Sequence, residues 1–325
     1  MASRETTAGA DLPASDCRPD RVNGPWSRRR LLRLGLGATA SVIGAGVLGA
    51  ELVDHGVLPG KLLLDQLDGA CQVDARAPVF RPVGPSYSGW FRSRARHRSV
   101  GYTVALPPGH APGDELALVV MLHGFGANHE NAISGMDPAQ ALALIVDGMP
   151  LAPMGLVTVD GGPGYWHPHR DDDPMGMVVD ELVPMLRARG LGRPPHRIGT
   201  MGISMGGYGA LLLAELFPSM FRAVAAISPA VWTTYDEASA ANGGAYDSPG
   251  QFARFDAVTH TAALSTTRVR VASGDADPFH PGVVALAAGL PKGAIVDFAP
   301  GCHTGAFFAA QVPPSMAFLS QALVA

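Results

Sequence analysis

Chemistry in this sequence starts at Gly202-Ile203-Ser204-Met205-Gly206. The string fits G-x-S-x-G, in which a serine occupies a sharp, strained turn between a strand and a helix. Glycines two positions to either side keep Cβ atoms out of the neighbouring backbone. The turn lifts the Ser204 hydroxyl to the sheet edge, and the helix that follows aims its N-terminus at negative charge developing there. An ordinary Gly-rich turn would carry the same letters, so the flanks decide. Residues 197–203 read as a strand running straight into the serine, and residues 206–217 read as a helix leaving it.

A serine hydroxyl is a weak nucleophile until a base accepts its proton and an acid orients that base. In this arrangement the acid and then the histidine follow the serine along the chain. Of the 11 histidines only His260, His280 and His303 come after Ser204. His303 hangs beyond the last strand in Pro300-Gly301-Cys302-His303-Thr304-Gly305. His260 precedes the strand that leads to the acid, and His280 lies only three residues past the acid. That acid is sought in Ser273-Gly274-Asp275-Ala276-Asp277-Pro278. Asp277 has the better spacing, with Pro278 to stiffen its loop, and Asp275 is the alternative; a solvated Asp-rich turn would account for both without chemistry. A tetrahedral oxygen needs backbone donors. The loop Met121-Leu122-His123-Gly124-Phe125-Gly126 offers the Phe125 N–H, with Gly124 as runner-up, and the Met205 N–H is the second donor. His123 is expected to be a hydrogen-bonded structural residue.

Strands and helices alternate from residue 99 onward, and these elements must carry the residues above. Residues 100–106, 116–122, 155–159, 197–203, 223–227, 268–272 and 294–298 read as strands. The run 116–122 is apolar throughout, as for a strand buried on both faces. Residues 137–146, 173–189, 206–217 and 304–323 read as helices, with Pro313-Pro314 expected to interrupt the last. Such alternation predicts an α/β fold, a doubly wound and mostly parallel sheet with helices on both faces. Ligands bind beyond the carboxyl ends of the strands in such sheets.

The 325 residues are 47% hydrophobic and 16% charged, enough for a large core. Net charge is −4 and no basic patch is dense enough for nucleic acid. Residues 1–50 carry all-arginine basic charge. Arg28-Arg29-Arg30 precedes a weakly apolar Gly/Ala-rich stretch without acids, which reads as a twin-arginine export leader, with an uncleaved anchor helix as the alternative. The leader would then be the element through which the chain associates with a membrane. Residues 51–85 read as a short amphipathic helix, with Leu58, Leu62, Leu63 and Leu67 near helical spacing, and a linker. Residues 86–325 read as the catalytic domain. If that domain sits in an oxidising compartment, Cys71 and Cys302 could pair.

The four strings HGFG, GISMGG, SGDADPF and GCHTGAFF, in this order, resemble the esterase branch of the α/β hydrolases. That branch includes esterase D-type enzymes and secreted actinobacterial mycolyltransferases. The resemblance covers residues 86–325 and implies an α/β-hydrolase fold with a Ser-acid-His triad at Ser204, Asp277 and His303. The mycolyltransferases use Glu as the acid and carry an extended acyl-binding surface. The Asp loop here favours a simple esterase.

Other residues are read more plainly. Tyr165 and Trp166, in a Gly-rich loop after a strand, are expected to wall the substrate site, or else to pack on a mobile loop. His167 and His169 beside Asp171, Asp172 and Asp173 lack metal-site spacing, so no metal and no cofactor is expected. Arg92, Arg94, Arg96, His97 and Arg98 are expected at a hairpin as a solvated edge, with an anionic lipid surface as the alternative. Residues 230–263 are expected to form a modest cap over an open pocket. The expected function is hydrolysis of a small-molecule or lipid acyl ester through an acyl-enzyme. Its rivals are acyl transfer to a sugar or lipid alcohol, and a non-catalytic exported binding protein. Oligomeric state is left open.

Overall fold

The apolar runs become strands because a residue pair at period two can bury one side chain in each of two layers. In Ala117–Leu122 the side chains of Leu118, Val120 and Leu122 enter one core and those of Ala117, Val119 and Met121 the other. The computed structural model describes residues 68–324. The leader at 1–50 and the amphipathic stretch through Leu67 lie outside the described residues.

In chain order the strands are β1 (Val79–Phe80), β2 (Ser86–Ser93), β3 (Arg98–Ala105), β4 (Ala117–Leu122), β5 (Leu144–Val146), β6 (Met149–Pro150), β7 (Met154–Val159), β8 (Ile198–Ile203), β9 (Phe221–Ile227), β10 (Arg268–Gly274) and β11 (Ile295–Ala299). The main sheet has the order β11-β10-β9-β8-β4-β7-β3-β2. The strands from β11 through β7 run parallel, and the β2–β3 hairpin closes one edge antiparallel. The chain fills the β7 side of β4 and then crosses to β8 on its other side. The order therefore reverses at β4, and the loops after β4 and β8 flank the resulting crevice.

The helices are α1 (Pro138–Leu142), α2 (the continuous run Pro174–Gly176, Met177–Leu182 and Val183–Arg187), α3 (Met205–Leu216), α4 (Tyr235–Ala241), α5 (Pro249–Arg254), α6 (His280–Gly289) and α7 (Gly305–Val324). Residues of α2 and α3 fill one core layer, and residues of α1 and α7 the other. The middle of α2 widens to π-helical geometry, with the Val183 N–H reaching back to Val178 O. Pro184 has no N–H to continue the regular ladder there.

Three local expectations are corrected. The helix expected over 137–146 ends at Leu142, and Leu144–Val146 turns into a strand pairing with Val79–Phe80. That partner, distant in sequence, supplies backbone hydrogen bonds that a longer helix would forgo. The last helix is not broken at Pro313-Pro314 but runs from Gly305 to Val324. Gln311, Val312, Ser315 and Met316 are buried around the prolines, and their packing under β8 and β9 offsets the lost helix hydrogen bonds. Arg96 is not a solvated edge residue. It is 2% exposed, its Nε and Nη2 donate to the two carboxylate oxygens of Asp172 at 2.7 and 2.8 Å, and its Nη1 donates to Asp160 O. Its neighbour Arg94 is 90% exposed.

The segment before β2 is tied to the rest by more than its short strand. Cys71 and Cys302 form a disulfide with Cα atoms 4.8 Å apart across a separation of 231 residues.

Candidate active site

β8 runs into Ser204, which sits at φ 57° and ψ −122° at the start of α3. A non-glycine residue at positive φ is strained, and surrounding structure must hold it. Here the Ser204 N–H donates to Ile227 O at 2.9 Å, and its carbonyl accepts from the Ala230 and Tyr208 N–H groups. The flanking glycines are required sterically. A Cβ on Gly202 would run into the Gly206 carbonyl, and one on Gly206 into the Leu122 carbonyl. The serine hydroxyl is thereby held at the carboxyl end of the sheet beside the end of β4.

The other two side chains converge on it from the ends of β10 and β11. Ser204 Oγ lies 2.8 Å from His303 Nε2, and His303 Nδ1 lies 2.8 Å from Asp277 Oδ2. A carboxylate only accepts, so Nδ1 carries the ring proton and Nε2 faces the serine hydroxyl as an acceptor. The Asp277 side chain is fully enclosed, and its Oδ1 accepts from the Phe279 N–H at 2.8 Å. Asp275 points away into solvent, while its N–H donates to Ala299 O. The Ala276 N–H donates to Gly301 O, which ties the acid loop to the histidine loop. His280 is turned elsewhere, toward Ser273 Oγ at 3.3 Å, and His260 precedes a short helical turn at 261–266.

Two backbone N–H groups next to this line, those of Met205 and Phe125, are left without a protein acceptor among the described residues. Met205 is the first residue of α3, where an N–H has no partner within the helix. In the loop after β4, a Cβ built on Gly124 would stand 3.7 Å from Ser204 Cβ. Gly124 supplies close approach, Phe125 the free N–H. The Phe125 ring itself is exposed.

Tyr165 and Trp166 are corrected as substrate walls: both are buried, at 4% and 1% exposure. The Trp166 indole N–H donates to His123 O at 3.1 Å, and its ring covers Gly161 and Gly209. Tyr165 packs among Tyr208, Trp232 and Tyr246, joining the loop to the 230–263 segment. These aromatics therefore brace the site from behind. His167 is likewise internal. Burial pushes its pKa down to about 4, and its Nε2 lies 2.8 Å from Ala245 O. His169 pairs with Asp247 at 2.9 Å.

Such an arrangement can generate a serine alkoxide equivalent and hold an oxyanion, which is the chemistry of acyl transfer. Residues 93–283 match the family described as "Putative esterase", more than half of the chain. The chain belongs to this esterase family. None of the curated proteins matches it. Among solved structures, a ferulic acid esterase superposes with a TM-score of 0.59 at 16% identity, covering 75% of this chain and 99% of that one. An S-formylglutathione hydrolase from Agrobacterium tumefaciens gives 0.58 at 16%, covering 77% and 100%. MPT51 of Mycobacterium tuberculosis gives 0.54 at 20%, again covering 77% and 100%. The likeness is one of fold, and the esterase has the α/β-hydrolase fold.

The family match contains Ser204 and Asp277, while His303 lies beyond its end. Two residues of this esterase beside His303 close the strings SGDADPF and GCHTGAFF, which by themselves assign them no role. Phe279 and Phe308 meet the imidazole edge-on, with ring centroids 5.0 and 4.9 Å away. Phe279 stands two residues past Asp277 and Phe308 five past His303, so adjacency was the available signal. Their packing fixes the ring plane that the two hydrogen bonds alone would leave free to tilt.

Proposed function

We propose that this esterase is an exported carboxylic ester hydrolase working through Ser204, His303 and Asp277. The observation that carries the reading is the continuous hydrogen-bonded line from Asp277 Oδ2 through the imidazole to Ser204 Oγ. His303 Nε2 takes the hydroxyl proton as Ser204 Oγ attacks the ester carbonyl carbon. The carbonyl electron pair moves onto oxygen, which the Phe125 and Met205 N–H groups stabilise. Collapse expels the alcohol, which leaves with the proton from Nε2, and an acyl-serine forms. Water then attacks with the same base, and the acid departs. Asp277 orients the imidazole and stabilises its charged form without itself being protonated.

Export is supported by the twin arginines of the leader and by the Cys71–Cys302 disulfide, since such bonds persist in oxidising compartments. The substrate class is a small-molecule or lipid ester of short to medium acyl length.

The test is p-nitrophenyl ester turnover across chain lengths, with labelling of the serine by a fluorophosphonate. Ser204→Ala should abolish both. Turnover surviving in that variant, or label on another residue, overturns the assignment. Product analysis with an acceptor alcohol present separates hydrolysis from acyl transfer: predominant transfer to the acceptor would refute the hydrolase reading.

A further inference from the structure

His123 stands just before the loop donor, and its ring makes two hydrogen bonds that together fix its state. The Gly161 N–H donates to Nε2 at 2.9 Å, so Nε2 is unprotonated. Nδ1 lies 2.8 Å from Gly124 O, and a carbonyl only accepts, so Nδ1 carries the proton. Burial pushes the pKa of His123 down, which keeps the ring in this neutral form. The Trp166 ring packs edge-on against it at 5.0 Å, and the Trp166 N–H holds the His123 carbonyl.

The carbonyl that His123 grips belongs to the peptide unit whose N–H is that of Phe125. A trans peptide points its C=O and N–H in opposite directions, so anchoring one aims the other. The Ala127 N–H also reaches Gly124 O, at 3.2 Å, closing a turn that limits the same peptide. Gly124 has no side chain to restrain its backbone, so without these holds the peptide would be free to flip and turn its oxygen toward the developing oxyanion.

We infer that His123 is a positioning residue whose Nδ1–H locks the Gly124–Phe125 peptide so that the Phe125 N–H faces the tetrahedral oxygen. The inference rests on the reading of Ser204 as the nucleophile and of Phe125 as an oxyanion donor. It extends that reading by assigning the donor's orientation to a side chain that never touches substrate. The two ring nitrogens have separable duties: Nδ1 aims the peptide, and Nε2 ties the ring to Gly161.

Three substitutions separate these duties. His123→Leu keeps bulk and loses both links. His123→Asn places an amide donor where Nδ1 stood. His123→Gln reaches toward Gly161 and leaves Gly124 O ungripped. Loss of one oxyanion donor costs roughly 10²–10³ in kcat, so the Leu and Gln variants should lose about 10²-fold with KM nearly unchanged. Affinity for an alkylboronic acid, whose adduct with the serine is tetrahedral, should fall in parallel. The Asn variant should recover most of both. Thermal unfolding identifies the variants that fold, and if the Leu variant does not, the Asn–Gln pair carries the comparison. Equal kcat in Asn and Gln variants, or a boronate affinity that falls no further than KM rises, overturns the inference. Fluorophosphonate labelling of wild type keeps the two failures apart. If the serine labels and turns over normally while the His123 variants match wild type, only this positioning role is lost. If Ser204→Ala stays active, the underlying reading falls.

Discussion

Replacing Cys71 by serine breaks a covalent tie one residue away from His303. Cys71 is the half-buried partner and Cys302 is fully buried, so Cys71→Ser leaves the core around residue 302 intact. A cross-link stabilises chiefly by shrinking the unfolded ensemble, and the effect grows with the logarithm of the loop it closes. For the separation of 231 residues the chain-entropy relation gives about 5 kcal/mol. For a domain of this size that corresponds to a fall in Tm of about 10–20 °C. A local effect comes before the global one. Between β11 and α7 the backbone of the histidine loop is held to the rest of the site by the Ala276 N–H on Gly301 O, by Ser134 Oγ on Gly305 O at 3.2 Å, and by the disulfide. Removing the covalent anchor lets His303 sample positions off the line to Ser204, so kcat should fall about tenfold, the cost of about 1.4 kcal/mol in keeping the aligned geometry. KM should change less. Urea unfolding followed by tryptophan fluorescence and p-nitrophenyl acetate turnover read the two effects, and wild type incubated with dithiothreitol should match the variant. A variant that unfolds within about 1 kcal/mol of wild type and retains full kcat would refute both the entropic estimate and the anchoring of the histidine loop.

Asp277→Asn leaves the shape of the site but permits the wrong imidazole tautomer, and kcat should fall about 10⁴-fold with Tm little changed; a loss under tenfold would reinstate Asp275 as the acid. Gly206→Ala drives a Cβ into the Leu122 carbonyl and should cost about 3 kcal/mol in urea unfolding, so a wild-type midpoint would contradict the tight turn. Glu215 is buried with neither carboxylate oxygen hydrogen-bonded among the described residues, and burial, then the nearby Asp256, raises its pKa to about 9. The native state keeps this proton where the unfolded chain, titrating near 4.5, has released it. Stability therefore falls as pH rises between these values, by about 1.4 kcal/mol per unit. Glu215→Gln removes that slope, so its stability relative to wild type should grow from pH 6 to pH 8; a constant difference between the two pH values would show that Glu215 titrates normally.

The sequence by itself determined what local rules determine. Apolar runs bounded by turns marked the parallel strands of the main sheet, because a buried parallel strand has no polar face to display, whereas the short strand Leu144–Val146 was hidden inside an expected helix. Steric crowding fixed Gly202 and Gly206 around Ser204, because a Cβ at either position would run into backbone carbonyl oxygen. Chain order left His260, His280 and His303 as candidate bases, and placement beyond the last strand favoured His303. Tertiary structure decided everything that depends on a partner far along the chain. Asp277 rather than Asp275 meets the imidazole because the loop after β10 buries one carboxylate and exposes the other. Arg96 is internal because Asp172 and the Asp160 carbonyl, at separations of 76 and 64 residues, satisfy its guanidinium. Tyr165 and Trp166 lie behind the site because Gly161 and Gly209 leave room for an indole ring, which no local pattern reveals. The disulfide formed because folding brought Cα atoms 231 residues apart to within 4.8 Å. Local preference depends on the residue and its neighbours, whereas contact depends on the path of the whole chain.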